Sequence, residues 1–220
     1  MSHDKNGLRL SRRFYASDTV TVARKLLGCL LVRQIGDQRM SGIVVEVEAY
    51  LAENDSASHS FRGQGNRNLA MFMPAGTLYV YSIHAKFCMN IVTERAGVGA
   101  AVLIRAIEPL EGVTLMEQHR QRTRLRDLGS GPSRLCHALA IDRTHDKVNL
   151  LESPEVWLEK APKAVCERPF EINVSPRIGI SSAQESPLRF FVDGHSCVSG
   201  LARWHAQPRK WLFQTVENKK

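Results

Sequence analysis

The sequence predicts an α+β fold: a single domain with a mostly antiparallel, curved β core and surrounding helices. Three observations carry this. Strand-like runs follow one another through short turns rather than alternating with helices as in a βαβ repeat. The helical patterns are few and short. No strong linker interrupts the chain before residue 200, and 220 residues with 43% hydrophobic side chains suffice for one large core.

The elements follow in order. "SDTVTVARKLLG" reads as a short helix, capped by Asp18, with Val22, Leu26 and Leu27 facing inward and Gly28 ending it. "CLLVRQIGDQRMSGIVVEVEAYL" reads as two strands about a Gly36–Asp37 turn. Residues 52–68 form a loop, and so long an irregular stretch in a compact domain is often functional. "GTLYVYSIHAKFCMNIV" and "GAAVLIRAIEP" are expected to be two further strands on either side of "TERAGVG". "LEGVTLMEQHRQRTRL" has helical spacing at Leu110, Val113 and Leu115/Met116. "SGPSRLCHALAI" opens a helix with Pro132 in its first turn. "EVWLEK", "FEINVSPRIGIS" and "LRFFVD" are the remaining strand-like pieces. Residues 201–220 form a basic extension beyond a 1–200 domain, and Trp204, Trp211 and Phe213 predict that part of it docks on that domain.

Composition narrows the partners. The 30 basic and 22 acidic residues leave a formal charge of +8, which favours an anionic partner, nucleic acid first. The five cysteines are scattered without C-x-x-C spacing, so neither a zinc site nor a disulfide framework is indicated. The chain opens without an apolar signal region, and no later segment is long and apolar enough to cross a bilayer. A reducing interior, cytoplasm or nucleus, is the expected compartment.

Three constellations could carry chemistry. In "VVEVEAY", strand alternation puts Glu46, Glu48 and Tyr50 on one face and Val45, Val47 and Ala49 on the other. Paired acids do acid–base work when their environments differ; the plain alternative is an edge strand with two solvated acids. His59, in the following loop, could be a ligand, a base or a hydrogen-bond donor, which keeps open a metal-dependent nuclease built on Glu46, Glu48 and His59. "GTLYVYSIH" sets Tyr79 and Tyr81 on one face, suited to stacking on a nucleobase or to ordinary packing. The third is basic: Arg120, Arg122, Arg124 and Arg126, then Ser133 and Arg134 at a helix start, then Arg143 and Lys147. A solvated helix face is the alternative there.

Taken together and in order, "ARKLLGCLLVR", "GIVVEVEAYL", "ASHS", "LAMFMPAGTLYVY", "FCMNI", "VLIRAIEPLEG", "SGPSRLCHALAI", "VWLE", "PRIGI" and "PLRF" resemble the alkyladenine (3-methyladenine, methylpurine) DNA glycosylase family. This is the single-domain type without a helix-hairpin-helix, and the likeness spans roughly residues 8 to 200. The resemblance implies hydrolysis of the N-glycosidic bond of damaged purines in double-stranded DNA, by a monomer with no cofactor, no metal and no membrane attachment. The implied location is the bacterial nucleoid or the nucleus. It implies Glu48 as the base that activates water, with Arg105 and the Ile178 carbonyl holding that water. Tyr50, His59 and Tyr81 become the walls around a flipped base, and Asn90 the residue that disfavours the amine of normal guanine. His84 matches the wedge that fills the vacated stack, although "HAKFCMN" is one residue shorter than the family pattern and Lys86 could take that part. Ser133, Arg134 and Arg143 are expected on DNA phosphates. A nucleic-acid-binding module without catalysis remains the rival from another class.

Overall fold

A computed structural model describes residues 8–160 and 170–200. Two short helices come first, α1 (Arg12–Tyr15) and α2 (Thr19–Leu26). The Asp18 carboxylate accepts from the Thr21 amide to cap α2, whose Val22, Ala23 and Leu26 are fully buried. Strands β1 (Leu30–Ile35) and β2 (Gln38–Tyr50) form a hairpin closed by Gly36 at φ +54°. After the long loop come β3 (Leu78–Ile83), β4 (Lys86–Thr93) and β5 (Ala100–Glu111). Three helices follow, α3 (Val113–Arg120), α4 (Leu125–Gly129) and α5 (Pro132–Ala138), then β6 (Val156–Glu159), β7 (Ile172–Ser175) and β8 (Arg189–Val192).

These eight strands make one curled antiparallel sheet, six of them in the order β3-β4-β5-β2-β1-β6 and β8, with β7 beside it, branching from β2. β2 is its spine. One edge pairs with β5 along most of its length, and the other pairs first with β1 and then, at Glu46–Glu48, with β8, which carries β7. The core packs α2 and α3–α5 against the sheet, with Val22, Leu26, Met116, Leu128, Leu135 and Leu139 meeting Val44, Val47, Ile104 and Ile107. The predicted α+β class, the Gly36–Asp37 turn and the Pro132 helix start all stand as expected.

Two expectations change. The stretch from Thr77 to Val92 is a tight hairpin rather than a single strand, because His84 (φ +48°) and Ala85 (φ +60°) both take the left-handed conformation. Neither is glycine, asparagine or aspartate, so the usual signal for such a turn is missing. Leu110 belongs to β5 and is half exposed, and the helix begins only after Gly112. The expected docking of residues 201–220, and Cys166, lie outside the described residues.

The segment that follows β8 straps back over the sheet. His195 Nε2 lies 3.2 Å from Glu108 Oε2 on β5, the Cys197 amide donates to His195 Nδ1 (3.1 Å), and the Ser130 hydroxyl donates to the Val198 carbonyl (3.3 Å). Burial lowers the His195 pKa, and the Cys197 amide on Nδ1 also favours the neutral ring, but the Cys197 side chain and Glu108 outweigh them and raise it from 6.5 to about 9. A histidine whose pKa rises on folding contributes stability that is complete below pH 6.5 and is lost as pH climbs through about 9. The melting temperature should therefore fall across that window, and Glu108→Gln should flatten the fall. Equal slopes in wild type and Glu108→Gln, by calorimetry over that pH range, would disprove the contribution.

Candidate active site

The site grows from an irregularity in the spine of the sheet. Between Val44 and Val47 the β2–β5 register shifts twice: Val44 faces Ile107, Glu46 faces Ala106 and Val47 faces Ile104. Val45 is thus extra on β2 and Arg105 extra on β5. Bulges of this kind re-aim side chains. Here Val45 drops into a small cluster with Ala106 and Val192, away from Val47 in the main core, while Arg105 swings onto both acids.

The Arg105 guanidinium bridges them. Nε donates to Glu46 Oε1 (2.9 Å), and Nη1 lies 3.1 Å from Glu48 Oε1. Glu46 is further held by Arg189 Nε (2.7 Å), the Ser199 amide (2.6 Å) and the Ser199 hydroxyl (2.9 Å). Arg189 donates onward to the Ser175 hydroxyl and the Ser199 carbonyl. All four charged groups are buried, two positive against two negative. Burial raises the Glu46 pKa, but Arg105 and Arg189 outweigh it and hold this carboxyl below its ordinary value. Burial likewise opposes the charge on Arg105, and the two carboxylates reverse the shift upward. The solvated-edge reading of the two acids is therefore wrong: Glu46 is committed on every side.

Glu48 is also buried but stands next to a cavity. Besides Arg105 it accepts from the Ile178 amide (2.7 Å at Oε1) and the Tyr50 hydroxyl (3.0 Å at Oε2). Those three partners line a cleft of about 630 Å³, together with His59, Tyr79, Tyr81, His84, Lys86, Asn90 and Ser133. The fold thus gathers nearly every expected site residue around one opening. Ile178 reaches Glu48 through its N–H group, a contact the sequence reading did not contain. A metal held by Glu46, Glu48 and His59 loses its donors, because a guanidinium lies between the acids and His59 is paired elsewhere.

The walls are aromatic. His59 Nδ1 lies 2.8 Å from the Tyr79 hydroxyl, and its ring stands edge-on to Tyr81 with centroids 4.6 Å apart. Burial lowers the His59 pKa below 6.5, so it is neutral near pH 7. Burial, with Asp146 nearby, pushes Tyr79 up to about 12. Burial and Glu48 push Tyr50 up as well. Asn90 donates from Nδ2 to the Tyr79 carbonyl (3.2 Å). On the opposite side, Gly129 lets α4 end directly on β5, since a Cβ there would sit 2.7 Å from the Ile107 carbonyl. The Gly131 amide then donates to the Arg105 carbonyl (3.0 Å), which brings Pro132 and Ser133 to the cleft. Arg134 and Arg143 lie outside this cleft, on neighbouring ones.

Sequence reasoning missed the pair that joins the two loops over the cleft. Arg177 and Asp55 are bidentate, Nη1 to Oδ2 at 2.7 Å and Nη2 to Oδ1 at 2.6 Å, both essentially inaccessible. Arg177 also donates to the Ala49 carbonyl (3.0 Å), and its guanidinium lies 4.6 Å from the Tyr50 ring centroid. Asp55 opens the loop that carries His59, and Arg177 immediately precedes Ile178. One ion pair therefore sets both the Glu48 contact and the aromatic wall. Only "ENDS" and "PRIG" mark it in sequence, far apart and without periodicity. Breaking a buried pair from one side costs about 3–5 kcal/mol. Asp55→Ala and Arg177→Ala should each approach that cost, and the double variant should fall well short of their sum. Additive losses in urea unfolding would show that the two do not act as a pair.

The comparisons with known proteins agree among themselves. The family model described as methylpurine-DNA glycosylase matches residues 13–196. A Rhodopirellula baltica protein, provisionally named a 3-methyladenine DNA glycosylase, is 48% identical over 91% of this chain and 87% of its own length. The DNA-3-methyladenine glycosylases of Mus musculus and Homo sapiens are 44% and 43% identical over 89% of this chain, which spans 62% and 69% of theirs.

Proposed function

The chain belongs to the methylpurine-DNA glycosylase family, and we propose that Glu48 is the base with which it hydrolyses the N-glycosidic bond of alkylated or deaminated purines in DNA. It is a DNA repair glycosylase, a hydrolase of N-glycosyl bonds. The observation that supports the mechanism best is Glu48 behind the aromatic cleft, held by Arg105, the Ile178 N–H and the Tyr50 hydroxyl.

The chemistry suits that geometry. An alkylated purine such as 3-methyladenine is cationic and leaves readily. The sugar left behind is oxocarbenium-like, and a carboxylate beside it both stabilises the charge and deprotonates the attacking water. A duplex base cannot reach Glu48 unless it is extruded, which costs a few kcal/mol and costs least at damaged pairs. Tyr50, His59 and Tyr81 recover that cost by stacking. The β3–β4 turn at His84 and Ala85 supplies an exposed tip for the vacated stack, with Lys86 beside it. Asn90, nearly buried in the wall, fills the space that the guanine amine would need. No helix among the described residues is long and apolar enough to cross a membrane. The protein acts as a monomer on double-stranded DNA, in the bacterial nucleoid or the nucleus, through side chains and water alone.

The test is excision from duplexes carrying 3-methyladenine, 7-methylguanine, hypoxanthine or ethenoadenine, run in EDTA and developed with alkali. Alkali-labile sites at the lesion, undiminished by EDTA and without a borohydride-trapped covalent complex, are expected. Tight binding without such sites would leave a binding module, and loss of activity in EDTA would favour a metal-dependent nuclease. A trapped complex lost in Lys86→Ala would make the enzyme a lyase instead.

A further inference from the structure

Two further clefts flank the β3–β4 hairpin, one on each side of the base cleft. The first, about 760 Å³, lies between the hairpin, α3 and α5, where Lys86, His119, Arg120, Arg134 and His137 line it. It shares Lys86 and Ser133 with the base cleft. The second, about 840 Å³, lies between the 62–68 loop segment and β3, with Arg62, Arg67 and Arg143 on its walls. It shares His59, Tyr79 and Tyr81 with the base cleft. The three openings are therefore contiguous, with the exposed turn of the hairpin in the middle.

Both flanks are positive and poorly neutralised. Asp142 is the one acid lining the first cleft among the described residues, and its carboxylate already accepts from the Thr144 amide and hydroxyl. Arg134 is half exposed and has Asp127 only at 3.5 Å. Arg120 donates to the Asp127 carbonyl and to His137 Nδ1. Burial, then the neighbouring Arg134 and Arg122, lower its pKa, as expected of crowded like charges. No acid lines the second cleft; its Arg143 pairs with Asp146 (3.6 Å) and donates to the Val80 carbonyl, whereas Arg62 and Arg67 are exposed and make no ion pair among the described residues. Arg120, Arg62 and Arg67, none of them in an ion pair among the described residues, suit a surface that a polyanion covers, and they stand in clefts that adjoin the base pocket.

We propose that the two clefts hold the sugar–phosphate backbone on opposite sides of the extruded nucleotide, with Arg120 and His137 gripping one arm of the duplex and Arg62 and Arg67 the other. The proposal rests on the glycosylase reading and adds to it a path for the DNA. Of these four the sequence marked Arg120 alone, as the first of the basic run Arg120, Arg122, Arg124 and Arg126; an exposed arginine or histidine in a loop or helix has no distinguishing pattern until the fold sets it beside the others.

The experiment is fluorescence anisotropy with lesion-containing duplexes over a salt series. Each lost phosphate contact lowers the log–log slope by about 0.9. Arg120→Gln should lower it by about one such step and Arg62→Gln/Arg67→Gln by about two. Arg120→Lys should keep most of the slope, which separates lost charge from a disturbed α3–α4 junction. Shortening the duplex on one side of the lesion should erase the effect of Arg120→Gln and spare that of the Arg62/Arg67 variant; shortening the other side should do the reverse. Unchanged slopes, or effects that survive whichever arm is shortened, would overturn the proposal. Excision by the wild-type protein is scored on the same duplexes, so a failed glycosylase reading shows as intact DNA, independently of the salt slopes.

Discussion

The structure turns on one guanidinium. Arg105 is the extra residue of β5 at the point where the pairing with β2 slips, and it lies between two buried carboxylates. Neither acid would stay charged in that interior alone, since an isolated buried charge costs several kcal/mol after relaxation. Arg105 and Arg189 together cancel Glu46 and Glu48, and the Ser199 amide supplies the partner of Glu46 Oε2. The β8 strand, the strap through Ser199 and the double bulge are all conditions for that balance. Remove any one and a charge is left in the core.

The two acids divide the work accordingly. Glu46 is enclosed in the interior and anchors Arg105; Glu48 is just as buried, but its partners Arg105, Tyr50 and Ile178 line the cleft. The Arg177–Asp55 pair performs the same service for the loops that Glu46 performs for the sheet. It fixes a backbone amide on Glu48 and a cation behind Tyr50. Rigid support beneath a polar site matters because a misplacement of about 1 Å can cost about 100-fold in rate.

Much of the fold was legible because it rests on local chemistry. Asp18, Gly36 and Pro132 announce their cap, turn and helix start, and the alternation of Leu78 and Val80 with Tyr79 and Tyr81 predicts which face is core. The His84–Ala85 turn was not legible, since nothing in those side chains prefers the left-handed region. The burial of Glu46 was hidden for another reason: strand alternation assumes unbroken pairing, and the double bulge depends on contacts between residues some 59 positions apart. The site residues were named through resemblance and their chemical type. The fold then gathers most of them around one cleft, while Asp55 and Arg177, 122 positions apart, become neighbours only in the folded chain.

The division between the two acids is most directly tested by single-turnover excision of a lesion duplex at saturating enzyme, with rates referred to the folded fraction. Glu48→Gln should lose about 10²–10⁴-fold in the excision step while still binding lesion DNA, the usual scale for a lost general base. Glu46→Gln should unfold more easily, by about 3–5 kcal/mol, because it strands two buried arginines. Each folded Glu46→Gln molecule should nevertheless lose much less of its excision rate than Glu48→Gln does. Equal losses per folded molecule, or a larger loss for Glu46→Gln, would contradict the account.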